Sequence, residues 1–105
     1  MMDKPLQVTF HNLEHSDAVE DEIRDRMRKL SEVCDRITSG RVVIDSPHRT
    51  NQRAKSFTVS IELGLPRNEI VIKRDPVTDI HSAVADAFDT ARRRLRDYVE
   101  KNRGN

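Results

Sequence analysis

A chain of 105 residues, 35% apolar and 35% charged with no Trp, has room for one modest core and not two. It is therefore read as a single domain over residues 1–105. The formal net charge of +1 excludes a uniformly basic surface, and the lone Cys34 excludes an intramolecular disulfide and suits a reducing compartment.

The charge is unevenly spread. Residues 1–46 carry 10 acids and 7 bases, whereas residues 47–105 carry 8 acids and 12 bases. A near-neutral chain with an acidic end and a basic end can still steer a polyanion to one surface. The opening MMDKPLQVTF lacks the apolar run of a secretory signal, and no stretch reaches membrane-spanning length. A cytoplasmic protein without a membrane partner is expected.

In chain order, Leu6, Val8 and Phe10 alternate with Gln7 and Thr9, the period-2 pattern of a half-buried strand. HNLEHSD turns into a helix, with Ser16 or Asp17 as its cap and with Asp17 and Glu20 at capping-box spacing. That helix is predicted over roughly residues 17–35. Val19, Ile23, Met27, Leu30 and Cys34 form its apolar stripe, and its first turn is acidic, as the helix dipole favours.

RITSG interrupts the helix, and RVVID gives a second strand. PHRTNQRAK is a polar, basic connection. SFTVSIEL is the clearest strand, with Phe57, Val59, Ile61 and Leu63 on one face. GLPRN supplies turn residues, EIVIKR a fourth strand, and Thr78 or Asp79 a cap for a last helix striped by Ile80, Val84, Phe88, Ala91, Leu95 and Tyr98. Residues 102–105 are expected to fray. Strand, helix, three strands, helix predicts an α+β, two-layer sandwich, with an antiparallel-rich four-stranded sheet and both helices on one face.

The last helix holds four arginines in five positions, Arg92, Arg93, Arg94 and Arg96. At about 100° per residue, Arg92, Arg93, Arg96 and Arg103 fall on an arc pointing away from the stripe, and Arg94 nears its edge. Two explanations stand side by side. Asp89–Arg93 and Arg96–Glu100 have i, i+4 spacing, so the cluster can be a solvated face of ion pairs worth a few tenths of a kcal/mol each. The surplus of bases equally suits a phosphate backbone. Residues 47–58 add Arg49, Arg53 and Lys55 with no acid, and Lys73 and Arg74 close the fourth strand.

Other chemistry finds little support. His11, His15 and Asp17 straddle a strand end and a helix cap without a shared face, so no metal is expected. Cys34 on the apolar stripe reads as a buried thiol. Nucleotide-binding glycine loops, nucleophile elbows and H-E-x-x-H are absent from the sequence, so no catalytic residues, no cofactor and no small-molecule substrate are expected.

Four strings in this order, HNLEHSDAVEDEI, RKLSEVCDRI, PHRTNQRAKSFTVSIEL and DPVTDIHSAVADAFDTARRRL, together resemble the ribosome hibernation-promoting factor family. Its members are also called ribosome-associated inhibitor A or sigma-54 modulation proteins. The resemblance spans about residues 6–101. It implies a βαβββα fold like that of double-stranded-RNA-binding domains, and binding to small-subunit rRNA near the decoding channel. It also implies that tRNA and mRNA are blocked there in stress or stationary phase. Arg26, Lys29, Arg93 and Lys101 match basic family positions, while Arg94 and Arg96 are local additions. Thr90, Asp97 and Val99 stand where the family often has bases, His81 where it has Tyr, and Phe10 where Gly is common. With the chain ending at Asn105, the C-terminal dimerisation domain of the long members is expected to be absent, and a monomer is among the free states allowed.

The candidate RNA-binding set is thus Arg26, Lys29, Arg49, Arg53, Lys55, Lys73, Arg74, Arg92, Arg93, Arg94, Arg96 and Lys101. The partner is the small ribosomal subunit. The alternative is a protein-interaction regulator, of the sigma-54 modulation type, that binds no RNA and uses the acidic first helix.

Overall fold

The computed structural model describes residues 6–46 and 56–102. Its elements are β1 (Gln7–His11), α1 (Asp17–Val33), β2 (Ser39–Asp45), β3 (Thr58–Leu65), β4 (Asn68–Lys73) and α2 (Ile80–Lys101). The sheet order is β1-β2-β3-β4. β1 pairs with β2 in parallel through the α1 crossover, and the other two pairings are antiparallel. The expected α+β architecture is the one observed.

One face of the sheet carries the core. Val8 and Phe10 of β1 lie beside Val42 and Ile44 of β2. These adjoin Ile61 and Val59 of β3, and Ile61 and Leu63 adjoin Ile72 and Ile70 of β4. The helices cover this face with Val19, Ile23, Met27 and Leu30 of α1 and Val84, Phe88, Ala91 and Leu95 of α2, all buried in one cluster. The alternate residues, such as Gln7, Arg41, Glu62 and Lys73, therefore line the other face of the sheet.

α1 and α2 run parallel. Glu22 meets His81 near the start of α2, Leu30 and Val33 flank Phe88 and Arg92, and Cys34 and Asp35 flank Tyr98 and Asn102. Ser16 is the α1 cap, and its Oγ accepts from Val19 N–H at 3.3 Å. The Asp17–Glu20 capping box does not form. With Ser16 at the cap position, Glu20 falls one residue too far along, and it binds His15 and Arg24 instead. Asp79 caps α2, accepting from His81 N–H at 3.0 Å.

Several boundaries differ from the sequence expectation: β2 begins at Ser39 instead of Arg41, and β3 at Thr58 instead of Ser56. α1 ends at Val33, with Cys34 extended as its cap. β3 continues through Gly64 to Leu65, leaving Pro66 and Arg67 as the turn, with Arg67 at φ 61°. Gly64 reads as a turn residue but belongs to the strand. A Cβ there would crowd the hydroxyls of Ser39 and Thr38, which would have to turn aside, so glycine suits this close approach to β2.

Candidate nucleic-acid interface

The charge pattern of α1 follows from its spacing. Glu20 precedes Arg24, Glu22 precedes Arg26 and Asp25 precedes Lys29 by four residues, the favourable order on a helix. All three pairs form, at 2.8, 3.1 and 3.4 Å. Arg28 bonds Asp25 and also reaches Glu32 at 3.5 Å. Hydrogen bonding to Arg28 holds the Asp25 carboxyl below its usual range. These are surface pairs, that of Glu22 and Arg26 partly buried, each of small energy, yet together they neutralise most of the helix's own charge.

α2 is different. Its periodicity buries Ala87, Phe88, Ala91 and Leu95 and leaves Arg92, Arg93, Arg94 and Arg96 exposed. Among the described residues, none of these four guanidinium groups is in an ion pair. The Asp89–Arg93 and Arg96–Glu100 pairs suggested by spacing are not formed. Arg93 instead donates to Thr90 Oγ1 at 3.4 Å.

The arginines do not share one direction. Arg92 borders the groove between the helices, a cavity of about 320 Å³ where it joins Arg26 and Lys29. Leu30, Val33 and Phe88 contribute apolar lining, and Glu32 and Asp89 bring two acids. Arg93 and Arg96 point outward from the two-layer body. Arg94, about 100° further round than Arg93, lies on the flank of α2 away from α1. The arrangement is a ridge with one groove beside it, which can seat phosphates on the ridge and in the groove.

The remaining candidates separate. Lys73 shares a face with its pairing partner Ser60, opposite the buried Ile72, and so stands on the far side of the sheet from α2. The structure does not bring it to the ridge. Arg74 is held by Asp86 of α2 at 2.7 Å, and this bond raises its guanidinium above the ordinary value. Lys101 is exposed at the end of α2. Arg49, Arg53 and Lys55 lie outside the described residues, as does Arg103.

Sequence reasoning missed two acids that set which bases are available. Asp86 takes Arg74 from 12 residues away. Glu22 uses Oε2 for Arg26 and Oε1 for His81 of the other helix, 59 residues away. The first half of the Glu22 arrangement has an i, i+4 signal in the sequence; the contacts between elements have none. His11 and His15 are likewise apart in their partners: His11 faces Asp45, and His15 faces Asp17 and Glu20. Among the described residues, no helix is long and apolar enough to cross a membrane.

Among solved structures, the chain is similar to the N-terminal domain of Protein Y from Thermus thermophilus, at 18% identity and TM-score 0.73. That match covers 88% of this chain and 94% of the other. It is also similar to a ribosomal subunit interface protein from Coxiella burnetii, at 15% identity and TM-score 0.74, covering 89% and 94%. At such identities the likeness shows the shared fold. No curated protein matches the chain. The profile of the family described as sigma 54 modulation protein / S30EA ribosomal protein matches residues 6–103. With nearly its whole length matched, the chain belongs to the sigma 54 modulation protein / S30EA ribosomal protein family.

Proposed function

We propose that this chain is a ribosome-associated hibernation factor that binds small-subunit rRNA near the decoding channel and, by occupying it, blocks tRNA and mRNA. The observation that carries this reading is the contrast between the helices. α1 satisfies its bases internally, whereas Arg92, Arg93, Arg94 and Arg96 of α2 lack carboxylate partners among the described residues. Unpaired guanidinium groups on a rigid helix are preorganised for phosphate oxygens. Family membership supports a ribosomal partner.

The mechanism is occlusion, with no bond made or broken and no cofactor needed. Arg93 and Arg96 on the ridge and Arg92 at the groove make the phosphate contacts that set affinity and register. Arg26 and Lys29 line the groove but are held by Glu22 and Asp25, and add contacts only when those carboxylates release them. Arg94 and Lys101 extend this surface, and Arg49, Arg53 and Lys55 are assigned to it on sequence grounds. RNA shape, more than base sequence, selects the site. Neutralising about five phosphates gives a log K against log salt slope on the order of −4.

Co-sedimentation with small subunits tests the reading, with tRNA sites empty or filled. Binding that salt weakens and tRNA abolishes is expected; binding indifferent to tRNA overturns occlusion. The rival protein-interaction reading relies on a free acidic face of α1. Glu20, Glu22 and Asp25 are already engaged by Arg24, Arg26, Arg28 and Lys29, which leaves that face largely neutralised.

A further inference from the structure

β4 ends the sheet, and its outer edge has no strand beside it among the described residues. Three hydrogen bonds fix which of its main-chain groups are free. Gly64 C=O accepts from Thr38 N–H at 2.9 Å, and Phe57 exchanges bonds with Val77 at 2.7 and 3.0 Å. Phe57 and the residues two, four and six beyond it therefore bond toward β4, while Gly64, Glu62 and Ser60 bond toward β2. In an antiparallel ladder, the partner of a residue that bonds away also bonds away. Glu69, Val71 and Lys73, which pair with Gly64, Glu62 and Ser60, thus direct their N–H and C=O groups outward. Independently, the Glu69 N–H is taken by Asn68 Oδ1 at 2.7 Å rather than by β3.

This edge is also where the exposed large hydrophobic residues of the described structure sit, Val71 at 38% and Val77 at 37%. Edge strands are ordinarily guarded by charge against stray pairing. Here the charges are complementary to themselves.

We propose that β4 is a homotypic docking edge, on which the β4 of a second copy pairs antiparallel about a two-fold axis at Val71. In this register Val71 faces the partner's own Val71, and Glu69 faces the partner's Lys73, twice by symmetry. Each facing pair has outward main-chain groups, so the ladder bonds close in register, with a partner carbonyl replacing Asn68 Oδ1 on Glu69 N–H. The turn residue Arg67 falls opposite Asp75 just beyond the strand ends. Sliding two residues one way sets Arg67 against Lys73; sliding the other way sets Glu69 against Asp75. Like charges directly opposite destabilise a pair, so the Val71-centred register is selected. Arg74 joins the end of β4 to α2 through Asp86, on the flank away from α1. The Arg26–Lys29–Arg92 groove therefore stays open in the dimer.

A six-residue edge gives a small interface, so dissociation on the order of 100 µM is expected. The test is sedimentation equilibrium of the full chain from about 10 µM to about 1 mM, a range set by that affinity. A monomer–dimer equilibrium is expected for the natural sequence. Glu69→Lys and Lys73→Glu each turn two attractions into two repulsions and weaken dimerisation roughly 30-fold. Mixing the two variants restores a heterodimer, because each supplies the charges the other lacks. Val71→Lys, which sets two ammonium groups at the axis, gives a second variant with the same expected loss. A chain that stays monomeric at about 1 mM, or dimers indifferent to both reversals and to Val71→Lys, overturns the proposal.

Discussion

Glu22 of α1 and His81 of α2 meet at 2.8 Å, and the second oxygen of the same carboxylate accepts from Arg26 Nε at 3.1 Å. One side chain thus ties the two helices together and restrains a base beside the groove. Glu22→Gln keeps a hydrogen-bond acceptor but removes the charge that holds Arg26. The expected outcome is tighter rRNA binding by a few fold, as Arg26 is released to phosphate. Stability should fall by only about 0.5 kcal/mol, the scale of a surface pair. Filter binding at fixed salt and a thermal melt check both halves.

The ridge gives a sharper expectation. Arg93, Arg94 and Arg96 are exposed and make no ion pair among the described residues. Replacing all three with Ala should reduce the magnitude of the salt slope by about 2–3, since each lost phosphate contact removes about 0.7–0.9. The fold should be unaffected, because none of the three contributes to the core. Lys73→Ala is the matched control: on the far face of the sheet, it should leave the slope unchanged. Equal slopes for the triple variant and the natural chain would sink the ridge assignment.

Phe88 serves both layers of the structure. It is buried at 3% exposure and lines the groove beside Arg92. Phe88→Ala should cost about 3–5 kcal/mol through lost burial and a residual cavity. Phe88→Leu, nearer in volume, should cost less and keep rRNA binding. Chemical denaturation, with the midpoint and slope compared, measures the difference.

At the start of α1, hydrogen bonding to Glu20 raises the His15 pKa above its usual value of 6.5. Folding therefore favours the imidazolium. The stability it adds is fully present below pH 6.5, and it fades as pH rises through the higher folded-state value. Glu20 has the opposite sign: held below its usual 4.5, it contributes above that pH and loses its contribution as pH falls through the lowered value. His15→Gln should flatten the pH dependence of stability above 6.5 and leave a chain whose melting temperature changes little between neutral and mildly alkaline buffer. Melts across that interval decide it.

Much of this protein is legible in its sequence, because burial imposes a period. The stripe Val19–Ile23–Met27–Leu30–Cys34 and the alternation through Val59, Ile61 and Leu63 each leave one chemically consistent face, and those faces became the core. Helix caps were narrowed to neighbouring residues, and main-chain geometry chose Ser16 and Asp79. The exposed arginines of α2 were legible too, since they are what remains once Phe88, Ala91 and Leu95 turn inward. Spacing alone left open whether Asp89 would neutralise Arg93, because an exposed i, i+4 pair adds only tenths of a kcal/mol. Arg93 turned to Thr90.

Tertiary structure decided what spacing left open. Pairing partners remote in sequence fixed the status of each base. Asp86 claims Arg74, Glu22 is shared between Arg26 and His81, and the pleat sends Lys73 to the opposite side of the sheet. The β3–β4 register likewise decided that Glu69, Val71 and Lys73 turn their main-chain groups outward. Periodicity carries local geometry because side-chain direction repeats along one element. It is silent on which elements become neighbours, since that is settled only when the layers close on their common core.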